Sequence, residues 1–306
     1  MKGLLERLAA GEILISDGAM GTFLQAKGLQ PGESPEAWCL THPDAVKSIA
    51  EAYIAAGSDI VETDSFGGTS FKQKEFGLDD KVVEMNKAAA RIAKEAMGDK
   101  GYVAASVGPT GQIAYDEGGT VANEDLYNSF KEQVIALEEG GADALCIETM
   151  MSVIEAVQAV KAAKENTKLP IICTFTFEKG ARGFRTMMGA DPGSAAKAVA
   201  EAGADIVGAN CGNGIENMIE ITREMRAALP KTPILIHANA GMPVLEDGKT
   251  VFKATPTEMA AKVPELIAAG ANIIGGCCGT NPDHISAMAK AAKGGNGGCC
   301  CKCNCK

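Results

Sequence analysis

Three stretches of this chain carry residues whose types and spacing suit chemistry. "NIIGGCCGT" at 272–280 sets Cys277 and Cys278 side by side where an apolar run meets glycine, and "EAGADIVGANCG" from 201 puts Cys211 after a similar run. A third cluster, "CCCKCNCK" at 299–306, closes the chain. Neighbouring side chains of a regular strand point to opposite faces, so Cys277 and Cys278 can share a target only where strand geometry ends. Taken singly, each of the three reads as a small buried hydrophobe. Together, at the ends of apolar runs and flanked by glycine, they read as metal ligands, because three thiols with one exchangeable position make a catalytic zinc site. Zinc with three thiolates is already electron-rich, a poor Lewis acid for water but a good holder of one more thiolate. A coordinating thiol gives up its proton. Such a site favours alkylation at sulfur over hydrolysis.

Composition narrows the partners. Of 306 residues 46% are hydrophobic, and 29 Lys+Arg against 39 Asp+Glu leave a net charge of −10. No basic block is present to track a phosphate backbone, which argues against nucleic acid. The apolar runs are far short of a membrane span and the first residues lack a signal-peptide pattern, so a cytoplasmic protein with no membrane partner is expected. Eleven cysteines in a chain this long, five of them in the last eight residues, favour metal or catalytic use over a disulfide framework. Cys39, Cys146 and Cys173 are read as packing residues.

The elements that must position the thiols come from a recurring phrase. "AAGSDIVETDSF" from 55, "EGGADALCIETM" from 139, "EAGADIVGANCG" and "AAGANIIGGCCG" from 268 each run from a helix-ending glycine through a polar turn residue into a short apolar strand. Further strands are expected at 12–16, 102–108, 170–176 and 233–239, making eight. Amphipathic helices are expected at 43–56, 81–97, 123–139, 152–165, 192–202, 215–228 and 257–269, with a last one starting at Asn281 and Pro282 and running to Lys293. Alternation of this kind implies parallel strands, and eight units imply a closed (β/α)8 TIM-type barrel in the α/β class. An open doubly wound sheet is the alternative, but no GxGxxG follows the first strand. The expected organisation is one barrel domain over 1–293 and a short flexible Gly/Cys-rich tail over 294–306.

Active sites of such barrels lie at the C-terminal strand ends. Those ends carry Asp17-Gly18-Ala19-Met20-Gly21, Glu62 to Phe66, Gly108-Pro109-Thr110-Gly111, Glu148-Thr149, Asn210-Cys211-Gly212, Asn239-Ala240-Gly241 and Gly276-Cys277-Cys278-Gly279. The sixth and eighth strands flank the seventh, so Cys211 can meet the 277/278 pair.

"DGAMGT", "TDSFGGT", "GPTGQ", "ET", "ANCG", "NAG" and "GGCCGT" occur in this order, and the set resembles the homocysteine S-methyltransferase family over about residues 10–293. Through "GPTGQ" and "TDSFGGTSFKQKEFGLDDK" it is most similar to the homocysteine-binding module of cobalamin-dependent methionine synthases. The resemblance implies that Cys211, Cys277 and Cys278 ligate one Zn2+ and that the thiol of homocysteine is the fourth ligand. It implies that Asp17 and Glu148 hold the substrate ammonium and that backbone amides of Gly18, Ala19 and Met20 receive its carboxylate; both assignments suit the charges involved. Either acid could instead be a helix N-cap or a solvated loop charge. Asn239 either fills the metal's open position while substrate is absent or is a structural turn residue. His237 is read as a satisfied core histidine or one that supports the site from behind the ligands, rather than as a ligand, and His42 and His284 as helix-start residues.

Within these residues nothing resembling folate-binding, cobalamin-binding or reactivation domains follows the barrel. Methylcobalamin on a separate corrinoid protein is therefore the expected donor, with betaine or S-methylmethionine as alternatives, and another thiol or a selenol as an alternative acceptor. The terminal cluster reads either as a soft-metal binder, which would make the chain a metal-handling protein, or as a disordered end. A phosphate-binding lyase is disfavoured because no strand end carries a lysine for a Schiff base.

Overall fold

The computed structural model describes residues 2–246 and 249–294. Eight parallel strands form a nearly closed barrel: β1 (Leu14–Ile15), β2 (Ile60–Glu62), β3 (Tyr102–Val107), β4 (Ala144–Met150), β5 (Ile171–Phe175), β8 (Ile206–Gly214), β9 (Ile234–Asn239) and β12 (Ile273–Gly276). The remaining strands are two hairpins in loops over the C-terminal end, β6 (Glu178–Gly180) with β7 (Gly183–Arg185) and β10 (Val244–Glu246) with β11 (Lys249–Val251). Around the barrel run α4 (Pro43–Ala56), α6 (Val82–Met97), α7 (Asn123–Glu139), α8 (Val153–Asn166), α9 (Pro192–Ala202), α10 (Ile215–Ala228), α11 (Pro256–Ala269) and α12 (Pro282–Gly294). The eight-unit reading of the sequence holds, and an open sheet does not. The terminal cysteine cluster at 299–306 lies outside the described residues.

The polar turn residue of the recurring phrase has a structural job that the sequence alone did not reveal. Asp59, Asp143, Asp205 and Asn272 each accept, through a side-chain oxygen, the N–H of a residue on the preceding strand, namely Ile15, Val103, Ile171 and Ile234, at 2.9–3.0 Å. Each also donates its own N–H to the carbonyl of that residue at 2.7–2.8 Å. Four copies of one clamp thus tie the N-terminal ends of paired strands together. At the seam between β1 and β2 no ladder pairs the strands. There the Asp59 clamp and the Asp17 carboxylate, which accepts the Glu62 N–H at 2.8 Å, take the ladder's place.

Inward-facing residues recur every second position along a strand, so the interior is built in layers. The lower layer holds Leu14, Ile60, Tyr102, Cys146, Ile172, Ile206, Leu235 and Ile273, all buried, with Leu4 and Leu8 of α1 (Leu4–Ala9) closing the floor. Two residues further along the same strands stand Ser16, Glu62, Glu148, Thr174, His237 and Gly275. On five of the eight strands the interior changes from apolar to polar within one step of the pleat, while β3, β8 and β12 carry the small Ala104, Gly208 and Gly275 there.

Candidate functional site

The three thiols converge. Ligand atoms of Cys211, Cys277 and Cys278 lie within 4.8 Å of one another, and Cys211 Sγ is 3.7 Å from Cys278 Sγ. Cys211 reaches the mouth because β8 bulges at the barrel rim: its pairing to β9 jumps from Asn210↔His237 to Gly214↔Asn239. Inside the bulge Cys211 takes φ +57°, a left-handed conformation costing a non-glycine residue about 1–3 kcal/mol. Its counterpart is Thr149 at φ +60°, in an irregularity of β4 next to Glu148; among the described residues these are the two non-glycine positions with positive φ.

The adjacent pair answers the geometric requirement raised by the sequence. β12 stops at Gly276, and Cys277 and Cys278 lie in the following turn, where Thr280 N donates to Cys277 O at 3.1 Å and Ala240 N to Cys278 O at 3.0 Å. Gly279, at φ +80°, makes the turn. Gly275 and Gly276 do not turn the chain: they sit in the strand, where neighbours press too close for a side chain. A Cβ on Gly275 would come within 2.7 Å of the His237 ring and one on Gly276 within 2.3 Å of Thr280 Oγ1.

Electrostatics within the trio favour one thiolate. Hydrogen bonds from Cys277 and then Cys278, helped by Asn239, pull the Cys211 thiol far below its ordinary value. The same bonds push Cys277 and Cys278 up as the donors. Among the described residues this is the one group of His, Cys, Asp and Glu side chains placed to hold a metal ion, and an all-sulfur donor set in tetrahedral reach suits zinc. The Asn239 Oδ1 beside it is buried and has no hydrogen-bond partner, which leaves an oxygen free for a further ligand position.

Asp17 and Glu148 are buried inside the barrel and cap no helix, so the N-cap and solvated-loop readings fall. Asp17 accepts from Glu62 N at 2.8 Å and Ser16 Oγ at 3.3 Å. Glu148 accepts from Ser106 Oγ through Oε1 and from Asn210 Nδ2 at 3.0 Å through Oε2. Burial pushes both carboxyls up to about 7, against these hydrogen bonds, which favour ionisation. Asn210 stood among the strand-end residues of the sequence without a role. Its Oδ1 accepts from Thr149 N and Thr174 Oγ1, each at 2.7 Å, and its Nδ2 holds Glu148 and Thr149 Oγ1. One fully buried amide thus ties the acid on β4 to the bulge that presents Cys211.

The Gly18-Ala19-Met20 loop lies beside the thiol turn. Ala19 N already donates to Thr280 Oγ1 at 3.2 Å, while Thr280 Oγ1 donates to Cys277 O at 2.7 Å, so one hydroxyl links the two loops. Gly18 and Met20 are the amides left for an anion. His237 is buried beside the site, as one of the two readings expected, but it is not satisfied: its Nε2 has no partner, and its Nδ1 stands 3.7 Å from Glu62 Oε1. His42 precedes α4 and stacks on Trp38, and His284 lies in the first turn of α12, bonded to Asn281 and Ala254 O, as structural residues. Cys146 and Cys173 are buried, with thiols pushed up by burial. No helix among the described residues is long and apolar enough to cross a membrane.

A model of the homocysteine S-methyltransferase family matches residues 14–292. The methionine synthase of Mycobacterium leprae (strain TN) is 30% identical over 313 residues, covering 96% of this chain and 25% of that protein. The methionine synthase of Mycobacterium tuberculosis (strain ATCC 25618 / H37Rv) is 29% identical over 300 residues, covering 91% of this chain and 24% of that protein. The chain spans about a quarter of the length of these relatives. The crystal structure of the Escherichia coli homocysteine methyltransferase MmuM in its metallated form shares the fold, with a TM-score of 0.78 over 94% of this chain and 98% of that one, at 24% identity.

Proposed function

The chain belongs to the homocysteine S-methyltransferase family, and we propose that it transfers a methyl group to the sulfur of homocysteine, giving methionine. The observation that carries this reading is the convergence of Cys211, Cys277 and Cys278 at the mouth beside two buried acids. The three cysteines are the residues that would hold Zn2+. When bound, the ion would supply a coordination position that keeps the substrate thiol deprotonated near neutral pH.

The chain's own residues supply orientation. Asp17 and Glu148 receive the ammonium, and the Gly18 and Met20 amides face the carboxylate, in a loop packed so close to Thr280 that a Cβ at Gly18 would come within 2.6 Å of its Oγ1. Asn210 holds Glu148 at a set distance from Cys211, so a substrate anchored at both ends presents its sulfur toward the open mouth. The thiolate attacks the methyl carbon in line: a sulfur–carbon bond forms, the donor's bond to methyl breaks, and the pair stays with the donor. No general base is required, since the sulfur carries its charge before attack.

The donor we favour is methylcobalamin on a separate corrinoid protein. Exposed apolar side chains ring the C-terminal face on four different loops: Phe66, Ile113, Tyr115, Met187, Met242 and Leu245. A patch of this kind suits a large partner better than a small solvated donor such as betaine. The test supplies zinc-loaded protein and homocysteine with methylcobalamin, a methylated corrinoid protein, betaine or S-methylmethionine in turn, and measures methionine by mass spectrometry. Methionine from the corrinoid donors is expected. Product from betaine or S-methylmethionine alone would overturn the donor assignment, and none from any donor would overturn the activity.

A further inference from the structure

The site described above uses two buried acids, yet a third faces the same space. Alternation along β2 puts Ile60 in the apolar floor and Glu62 one layer higher, inward with Glu148 and His237. Charges on Glu148 and Asp17 are its nearest like neighbours, and burial followed by these two pushes its carboxyl well up. Among the described residues no lysine or arginine pairs with Asp17, Glu62 or Glu148.

The three acids differ in how they are satisfied. Both oxygens of Asp17 and of Glu148 accept hydrogen bonds from the protein, which fixes the two carboxyls in place. Glu62 has no hydrogen bond that fixes its carboxyl, and its Oε1 is buried without a partner. The facing imidazole does not fill the gap: His237 Nδ1 stops at 3.7 Å, and the ring, only 2% exposed, leaves Nε2 unpartnered as well. A buried acceptor left without a donor is destabilising, so the orphaned Glu62 oxygen marks a place where a donor is missing. A primary ammonium has three N–H donors on one compact cation, one for each carboxyl group.

We propose that Glu62 is the third acceptor of the substrate ammonium and makes the site selective for a free, unsubstituted primary amine. The inference rests on the homocysteine reading and adds a specificity-determining residue to it. Loss of Glu62 should then weaken recognition of the ammonium while leaving the thiol end intact.

Calorimetric titration of zinc-loaded protein separates these ends. Three thiols serve as probes: homocysteine, its N-methyl derivative, and 4-mercaptobutyrate, which keeps the thiol and carboxylate but has no amine. In the unaltered protein homocysteine is expected to bind about 100-fold more tightly than 4-mercaptobutyrate and about 10-fold more tightly than the N-methyl compound, since a hydrogen bond to a charged group is worth roughly tenfold or more. In Glu62→Gln the preference over 4-mercaptobutyrate should fall about 10-fold, with one zinc per chain and unchanged affinity for 4-mercaptobutyrate. An unchanged preference in Glu62→Gln, or N-methylhomocysteine bound as tightly as homocysteine by the unaltered protein, overturns the role of Glu62. Failure of the unaltered protein to bind homocysteine at all overturns the substrate reading, and the inference with it.

Discussion

The lower and upper layers of the barrel interior are one pleat apart on the same strands, yet they are built to opposite rules. Below, Ile60, Cys146, Ile172, Leu235 and Ile273 interlock, and the polar side-chain atoms of the layer are the Cys146 thiol and the Tyr102 hydroxyl, which donates to Lys2 O. Above, Glu62, His237 and Asn239 bury atoms without partners, and the rim beyond carries two residues in left-handed conformations. Cysteine makes the contrast within one residue type. Cys146 in the lower layer is pushed well up by burial, while Cys211 at the rim is pulled down by two neighbouring thiols. Stability is stored where every contact is made, and binding capacity is kept where contacts are withheld.

The sharpest way to break this contrast is at the rim. Cys211→Ala should reduce bound zinc, measured by atomic emission, from one per chain to none, and lower methyl transfer by about 1,000-fold or more, since the ligand itself is lost. Compared metal-free, the variant and the unaltered protein should differ in unfolding free energy by no more than about 1 kcal/mol, because alanine meets the same backbone conformation and loses little packing. Removal of residues 299–306 should leave one zinc and full transfer; loss of zinc on that truncation would assign the metal to the terminal cluster instead.

Leu235→Ala, one layer down, should do the reverse. A fully packed leucine truncated in a core costs about 2–5 kcal/mol, read in denaturant unfolding, with zinc stoichiometry unchanged. A Leu235 variant that kept its stability but lost zinc would erase the distinction between the layers.

A smaller effect sharpens the comparison through pH. Asp17 and Glu148 are raised to about 7 in the folded protein, so both keep protons there that the unfolded chain has already lost. In the ligand-free protein their contribution to stability is therefore present at low pH and is lost as pH rises from about 4 through about 7. For an ammonium ligand the sign is opposite, because only the ionised acids attract it. The ratio of homocysteine to 4-mercaptobutyrate affinities should fall by about 10-fold between pH 8 and pH 6, the thiol titration cancelling in the ratio. A ratio flat across this range would place the ammonium away from these acids.

Much of this was legible in the chain. The recurring Gly-polar-strand phrase announced the repeated unit, and the observed helices α7, α9 and α10 match the expected spans 123–139, 192–202 and 215–228 to the residue. Cys211 and the 277/278 pair were found from residue type and position, because thiols at strand ends beside glycine have few other uses. Asn210 and His237 were not. An asparagine or histidine in a strand carries no mark of its partners, and the Asn210 bonds reach residues as far apart in sequence as Thr149 and Thr174. Glu62 stood among the strand-end residues, but its orphaned oxygen exists only once its neighbours are in place.

By itself the sequence determined the class of fold, the number of βα units and which thiols stand at the strand ends, since these depend on local period, turn chemistry and side-chain type. The tertiary structure alone decided which glycines turn the chain and which merely make room, how two bulges and one buried amide set Glu148 against Cys211, and which acceptor is left without a donor. Those are questions of distance between residues remote in the chain, and no local pattern encodes them.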